Sequence, residues 1–179
     1  MAFPGSFSES GSLSRTQSSI AAGGVTEEYI MSARINFYRT DDAYGCFSNF
    51  ASFPITLDGV VWHTSEHDFQ AQKFAGSPYA EEIRQVRSPM TAARMGRSRE
   101  HPLRSDWEEV KDDVMRTAVR AKFTQHEDLR AILLSTEDVR IVEHTNRDNY
   151  WGDGGDGSGK NMLGRILMEI RAELRENAT

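Results

Sequence analysis

An acid, an amide and an amine recur at helical spacing between Trp62 and Phe74. Glu66, Gln70 and Lys73 stand at positions i, i+4 and i+7, so a helix beginning near Ser65 places them on one face. Such a row suits a polar cleft, and the helix dipole favours the anionic form of an acid in the first turn. A solvated helix face explains the same spacing and is the commoner outcome from spacing alone.

A second segment, residues 148–161, combines five glycines and three aspartates and leads into a helix. Glycines let backbone N–H groups approach a ligand, and a helix N-terminus favours an anion. Gly154 to Lys160 nearly matches a phosphate-binding loop, but Asn161 stands where magnesium needs Ser or Thr. Because no buried strand leads into the loop either, a nucleoside triphosphatase is excluded. A flexible surface turn is the alternative, although Trp151 favours packing or stacking.

The sequence gives weaker signals for three other kinds of site: phosphate-binding, metal-binding and serine-hydrolase sites. Four arginines before Trp107 suit either phosphate binding or ion pairing with nearby acids: Arg94, Arg97, Arg99 and Arg104. His63 and His67 are four residues apart, but His63 precedes the expected helix cap, so no metal site is predicted. A serine-hydrolase G-x-S-x-G elbow is absent, and no cofactor is expected.

The elements that must position these residues are mainly helical. The sequence predicts a compact α+β domain, mainly α-helical, with a few short strands. Strands are expected at 34–38 and 139–142, and a hairpin at 55–62 turning on Asp58-Gly59. Helices are expected at 65–75 with Ser65 as cap and Gly76 as stop, at 78–86, at 88–95, at 105–123 from a capping box Ser105 to Glu108, at 127–134 and at 160–174.

Composition sets the limits on this domain. The 179 residues, 38% of them hydrophobic, suffice for one core, and the net charge of −6 predicts no general attraction to nucleic acid. A single cysteine, Cys46, rules out an internal disulfide, and no apolar run is long enough to cross a bilayer. Residues 1–32 are serine-rich and are predicted to be a disordered tail before a folded domain at 33–176.

A series of short motifs runs through most of the chain. They are Asn36-Phe37-Tyr38, Phe47-Ser48-Asn49-Phe50, Thr64-Ser65-Glu66-His67 with Gln70 and Lys73, Ala93-Arg94-Met95-Gly96-Arg97, Pro102-Leu103-Arg104 with Trp107, Lys122-Phe123, Val142-Glu143-His144-Thr145, Tyr150-Trp151-Gly152-Asp153-Gly154 and Gly159-Lys160-Asn161-Met162-Leu163-Gly164. By these motifs, the stretch from Ile35 to about Leu174, about four-fifths of the chain, resembles the NADAR, or YbiA-like, family. It departs from the family pattern at Asp68, where members often carry an aromatic residue, and this difference is expected to alter a pocket wall.

The resemblance implies an N-glycosidase that acts at C1 of a ribose. Two substrate classes go with it: ADP-ribose attached to guanine in DNA or RNA, and ribosylamino-pyrimidine phosphate intermediates of riboflavin synthesis. A non-catalytic module that binds ADP-ribose or NAD is the alternative. We expect a monomer that binds ADP-ribose or another phosphorylated ribosyl group, without a membrane partner, in the cytoplasm and with access to the nucleus.

For this reaction, Glu66 and Asp153 are the predicted catalytic carboxylates, with unassigned roles. Lys73 offers a different route, in which its amine attacks C1 and holds the opened sugar as a Schiff base. Trp107 or Trp151 is expected to stack on a base.

The remaining candidates are predicted to bind substrate. Arg94 and the glycine loop, through Gly152 and Gly154, are expected to hold phosphates. The other polar candidates are Asn36, Tyr38, Asn49, Gln70 and Asn161. All of these expectations require the Glu66 helix to face the turn around Trp151 across one cavity.

Overall fold

A computed structural model describes residues 33–177, and the predicted tail lies outside them. Within the described residues, six helices and four short strands confirm a mainly helical α+β fold. In chain order they are β1 (Arg34–Phe37), a 3-10 turn (Gly45–Phe47), β2 (Ile55–Leu57), β3 (Val60–Trp62), α1 (Ser65–Gln72), α2 (Pro78–Gln85), α3 (Pro89–Gly96), α4 (Trp107–Gln125), α5 (Glu127–Ser135), β4 (Arg140–Glu143) and α6 (Met162–Glu176).

The strands form two separate pairs. β2 and β3 are the predicted antiparallel hairpin, and its turn residues Asp58 and Gly59 have φ of 49° and 77°, which suits a tight hairpin turn. β1 pairs with β4 in parallel, with Phe37 opposite Glu143. Because both strands run the same way, the residues that follow each of them emerge at one edge.

The long helix α4 organises the core. It packs against α1, α5, α6 and β2, while α1 also packs against α2 and α3. One cation is fully buried on α4: Lys122 donates from Nζ to the carbonyl of Ser48 at 2.9 Å. This bond anchors the loop after the 3-10 turn, in which the Asn49 carbonyl accepts from the backbone N–H of Glu66 at 3.2 Å.

Two predicted helix caps are wrong. Thr64, rather than Ser65, caps α1, because Thr64 Oγ1 accepts from the backbone N–H of His67 at 3.3 Å while Ser65 Oγ donates to Asn49 Oδ1 at 3.2 Å. α4 begins after Asp106 without a side-chain cap. Asp106, whose carboxylate accepts from Arg104 at 2.6 and 2.9 Å, takes the cap position expected for Ser105, so the predicted capping box does not form.

Two helix boundaries also move. α1 ends at Gln72, and the chain then turns through Gly76, whose φ is 82°. α6 begins at Met162 rather than Lys160, because Asn161 adopts a left-handed conformation with φ of 51°. Helical geometry therefore starts only after the glycine-rich loop has ended.

Candidate active site

A cavity of about 490 Å³ separates α1 from the loop that follows β4. Glu66 and Gln70 line it from α1, and Asp148 and Trp151 line it from the loop. The two segments singled out in the sequence therefore face each other across one space, as the interpretation required. The cavity also receives Tyr38, Asn49, Phe50, Met90, Arg97, Glu143, Thr145 and Arg147.

The acid and the amide on α1 are bonded to each other. Gln70 Nε2 donates to Glu66 Oε1 at 2.7 Å, and both side chains are only 6% exposed. Burial raises the pKa of Glu66 to about 7, although the bond from Gln70 and the charges of Lys73 and Arg97 oppose the rise. Glu66 can therefore give or take a proton near neutral pH.

A second acid, Glu143, enters the cavity from the end of β4. Burial raises the pKa of Glu143 to about 8, and the negative charges of Asp148, Glu66 and Asp153 add to the rise. Like charges that share a site disfavour simultaneous ionisation, so Glu143 is mainly protonated at neutral pH. The sequence interpretation missed it because the predicted strand stopped one residue earlier. Its position as an acid at the carboxyl end of a strand was the available signal.

Lys73 lies beside the cavity wall, and it is absent from the described residues that line the cavity. Its Nζ donates to the carbonyl of Gly96 at 3.4 Å and lies 5.3 Å and 5.6 Å from the ring centroids of Phe69 and Trp107. Burial lowers the pKa of Lys73 to about 8, against the opposing charge of Glu66. The amine therefore has a substantial neutral fraction at mildly alkaline pH.

The two candidate tryptophans differ in access. Trp151 lines the cavity, with its ring 5.2 Å from that of Phe69 at 83°. Trp107 is 6% exposed and packs on Phe69 with 5.1 Å between the ring centroids. Of the two tryptophans, Trp151 is the one that reaches the cavity, and Phe69 packs against both rings.

The position of Asp153 does not support its prediction as a catalytic carboxylate. It is 2% exposed and accepts hydrogen bonds from His144 Nδ1 at 2.8 Å and from the backbone N–H groups of Gly155 and Thr145. Burial opposes ionisation, but these bonds hold the pKa of Asp153 below its usual range. Its carboxylate shapes the loop and contributes charge to the site from behind.

The side chain of Asn161 is also used in hydrogen bonds that hold the fold. Its Oδ1 accepts from the backbone N–H of Glu143 and its Nδ2 donates to the carbonyl of Ile141, each at 2.9 Å. Asn161 thus fixes the end of β4, and with it the direction in which Glu143 enters the cavity.

Gly152 and Gly154 shape the same loop. A Cβ at Gly152 would lie 2.6 Å from Thr145 Cγ2, and Gly154 has φ of 75°. Close packing explains why residue 152 is a glycine, and a left-handed backbone explains why residue 154 is one. Neither explanation requires the loop to bind a phosphate.

The remaining candidates divide between the cavity and the surface. Tyr38 lines the cavity, and Asn49 lines it with Nδ2 3.0 Å from Met115 Sδ. Asn36 and Arg94 are exposed and lie outside the described cavity lining. Arg97, one turn after Arg94, provides a cation inside the cavity instead.

Two further properties bear on the chemistry. Within residues 33–177, no group of three or more His, Cys, Asp or Glu side chains is arranged to hold a metal ion. Over the same residues, every helix is too short or too polar to traverse a bilayer.

Comparison with known proteins identifies relatives of the chain. It is 64% identical over 140 residues to N-glycosidase YbiA of Escherichia coli, covering 78% of this chain and 88% of that protein. It is 43% identical over 149 residues to a riboflavin biosynthesis protein of Vibrio vulnificus, covering 83% of this chain and 41% of that protein. The NMR structure of E. coli YbiA matches with a TM-score of 0.77 and 61% identity, over 82% of this chain and 87% of the other. With the NADAR domain profile matching residues 36–175, the chain belongs to the NADAR family.

Proposed function

We propose that this protein is an N-glycosidase that removes ADP-ribose from ADP-ribosylated guanine in nucleic acid. The observation that carries the proposal is the meeting of Glu66, Glu143 and Asp148 with Trp151 in one cavity. Relatives named as N-glycosidases support the reaction class. The cationic Arg97 suits a phosphorylated ribosyl substrate.

Cleavage of the bond builds positive charge on C1 and the ring oxygen, and the departing nitrogen needs a proton. Glu143, with its raised pKa of about 8, donates that proton. Asp148 accepts from the backbone N–H groups of Tyr150 and Trp151, both at 2.8 Å, and is held where its charge can stabilise C1. Water adds to C1 as the C1–N bond breaks, and ionised Glu66 takes the proton from the water.

A Schiff-base route through Lys73 is the second chemical route. Its amine, with a pKa of about 8, would attack C1 as the nitrogen leaves. The bond from C1 to the ring oxygen would then break, with the amine proton passing to that oxygen, to give an imine that water later hydrolyses to release the sugar. Borohydride reduction separates the two routes, because it converts an imine into a stable amine. We expect no covalent adduct on Lys73 by mass spectrometry, and an adduct would replace the carboxylate route.

Ribosylamino-pyrimidine phosphates are a second candidate substrate, favoured by the similarity to the riboflavin biosynthesis protein of Vibrio vulnificus. They present the same reacting carbon and a phosphate, but they lack the adenosine diphosphate. We favour ADP-ribosyl-guanine because the cavity opens onto further space beyond Tyr38 and Arg147, which the nucleic acid attached to the guanine could occupy. We further propose that the protein acts as a monomer in the cytoplasm. A chain with a single cysteine forms no internal disulfide, which suits a reducing compartment.

The test is a parallel assay of both substrates with the purified protein. We expect release of ADP-ribose from a guanine-ADP-ribosylated oligonucleotide, a large loss in Glu66→Gln, and full activity in the matched exposed control Glu82→Gln. Cleavage of the riboflavin intermediate alone would transfer the function to that substrate. Tight binding of ADP-ribose without cleavage of either substrate would make the protein a non-catalytic reader.

A further inference from the structure

A second cavity of about 630 Å³ adjoins the first and opens to solvent. The two share Tyr38, Met90, Thr145 and Arg147 in their walls. We call the second cavity the outer groove and the first one the inner cavity. It lies where β1 and β4 end at the same edge, because the parallel register brings the residues after Phe37 beside those after Glu143.

The outer groove differs from the inner cavity in charge. The inner cavity contains three carboxyl groups, whereas the described lining of the outer groove contains none. Arg39 and Arg147 bring guanidinium groups to it, and His144 brings an imidazole. Such a surface favours an anion.

The cationic groups are not equally available. The Arg147 guanidinium has no hydrogen-bond or ion-pair partner among residues 33–177. Arg39 Nε bonds Asp41 at 3.0 Å, but that pair is exposed, with side chains 71% and 70% accessible, so a stronger anion can compete for Arg39. His144 is held by Asp153 through Nδ1, which fixes its ring beside the groove.

The rim of the groove is apolar and open. Met90 is 61% exposed and Tyr38 is 39% exposed, although both are large hydrophobic side chains. An aromatic or thioether surface beside cations is typical of sites where bases stack and phosphates pair. A polymer that continues past the reacting nucleotide needs this openness, whereas a small ligand is better held by enclosure.

We propose that the outer groove binds the phosphodiester chain next to the modified guanine, on the leaving-group side of the scissile bond. This inference rests on the proposed function, and it identifies a polynucleotide as the natural form of the substrate. One or two phosphates can pair with Arg39 and Arg147, so the grip is local, in keeping with the net charge of −6. The diphosphate of ADP-ribose is then left to the inner cavity, with Arg97.

The experiment compares an ADP-ribosylated single-stranded oligonucleotide with ADP-ribosylated guanosine, which lacks the chain. Arg39→Glu should raise the ratio of the two KM values, oligonucleotide over guanosine, by about tenfold at low salt, and Asn146→Lys should lower it. Asn146 is exposed and lines the outer groove but not the inner cavity. Arg34→Glu, an exposed arginine on β1, is the matched control and should leave the ratio unchanged.

Two further measurements separate the possible failures. Fluorescence anisotropy of an unmodified oligonucleotide should show weaker binding in Arg39→Glu, independently of catalysis. Inhibition by free ADP-ribose should not change, and weaker inhibition would assign the groove to ADP-ribose and overturn the inference. Unchanged KM ratios in both charge variants would also overturn it while leaving the glycosidase proposal intact. If the unmodified protein cleaves neither the oligonucleotide nor the guanosine substrate, that result would instead overturn the proposed function.

Discussion

The amide oxygen of Gln70 lies against the Cα of Gly96, so that a Cβ on residue 96 would be 1.8 Å from Gln70 Oε1. This oxygen is buried and has no hydrogen-bond partner within residues 33–177. The opposite end of the same amide donates to Glu66. Because Gly96 has no side chain, the Gln70 amide can pack against α3, and its position there determines where Glu66 lies.

Gly96→Ala should disable the site. The added methyl group must push Gln70 aside and break its bond to Glu66, and displacement of a catalytic group by about 1 Å can cost about 100-fold in rate. The measurement is kcat with circular dichroism to verify folding. The control is a double-mutant cycle with Gln70→Ala, in which adding Gly96→Ala should cost little because the collision is gone. Equal costs in both backgrounds would contradict this packing relationship.

Glu66→Gln should make the protein more stable at alkaline pH. Raising a carboxyl pKa from 4.5 to about 7 in the folded state makes its contribution to stability complete below about pH 4.5 and progressively lost as pH rises through 7. An amide carries no such penalty. The variant should therefore match the unmodified protein near pH 4.5 and exceed it by about 3 kcal/mol near pH 8.

Urea unfolding at those two pH values measures this difference. Glu82→Gln, on the exposed face of α2, provides the control for the loss of one acidic charge. A stability difference that stays constant with pH would mean that Glu66 is not desolvated in the folded protein.

The pH dependence of the reaction should report Glu143. In the proposed mechanism its protonated form is the active one, so kcat/KM should decline tenfold per pH unit above a pKa of about 8. Because Glu66 and Glu143 interact, the apparent value belongs to the pair. Glu143→Gln should lower kcat by about 10²–10⁴-fold. A rate that stays constant up to about pH 9.5 would exclude a carboxyl proton donor with this pKa.

Asn161→Ala should act mainly on stability. The change leaves the N–H of Glu143 and the carbonyl of Ile141 without their partner and places alanine at a left-handed backbone position. We expect a loss of about 2–4 kcal/mol in the free energy of unfolding. Asn161→Gly, which relieves the backbone strain but not the lost bonds, should recover part of it. An unchanged unfolding energy with a raised KM would instead make Asn161 a substrate ligand.

The sequence predicted one side of the site well because that side is local. Glu66 and Gln70 lie within one helix, so their spacing alone places them on a common face, and the structure brings them together. The hairpin turn at Asp58-Gly59 was equally local and is confirmed. The helix ends moved, because Ser65 bonds to Asn49 instead of capping α1, and because α4 begins after Asp106, one residue beyond the expected cap Ser105.

The other side could not be predicted in the same way. Glu143 enters the cavity only because β4 pairs with β1, a contact between residues far apart in the chain. Asp153 and Asn161 have the residue types of a catalytic or binding group, yet the loop uses them for its own hydrogen bonds. Residue type shows which chemistry is available, and only tertiary packing decides whether it serves a ligand or the backbone.

The parallel pairing of β1 with β4 also determines when the site can exist during synthesis. β4 follows β1 by about a hundred residues, so this pair forms late and raises the contact order of an otherwise local helical fold. A nascent chain that stops before Arg140 can build the helix bearing Glu66, but it lacks Glu143 and Trp151. If the proposed mechanism holds, activity is therefore expected only after residues 140–161 have left the ribosome and docked, and chains that stop earlier are expected to be inactive.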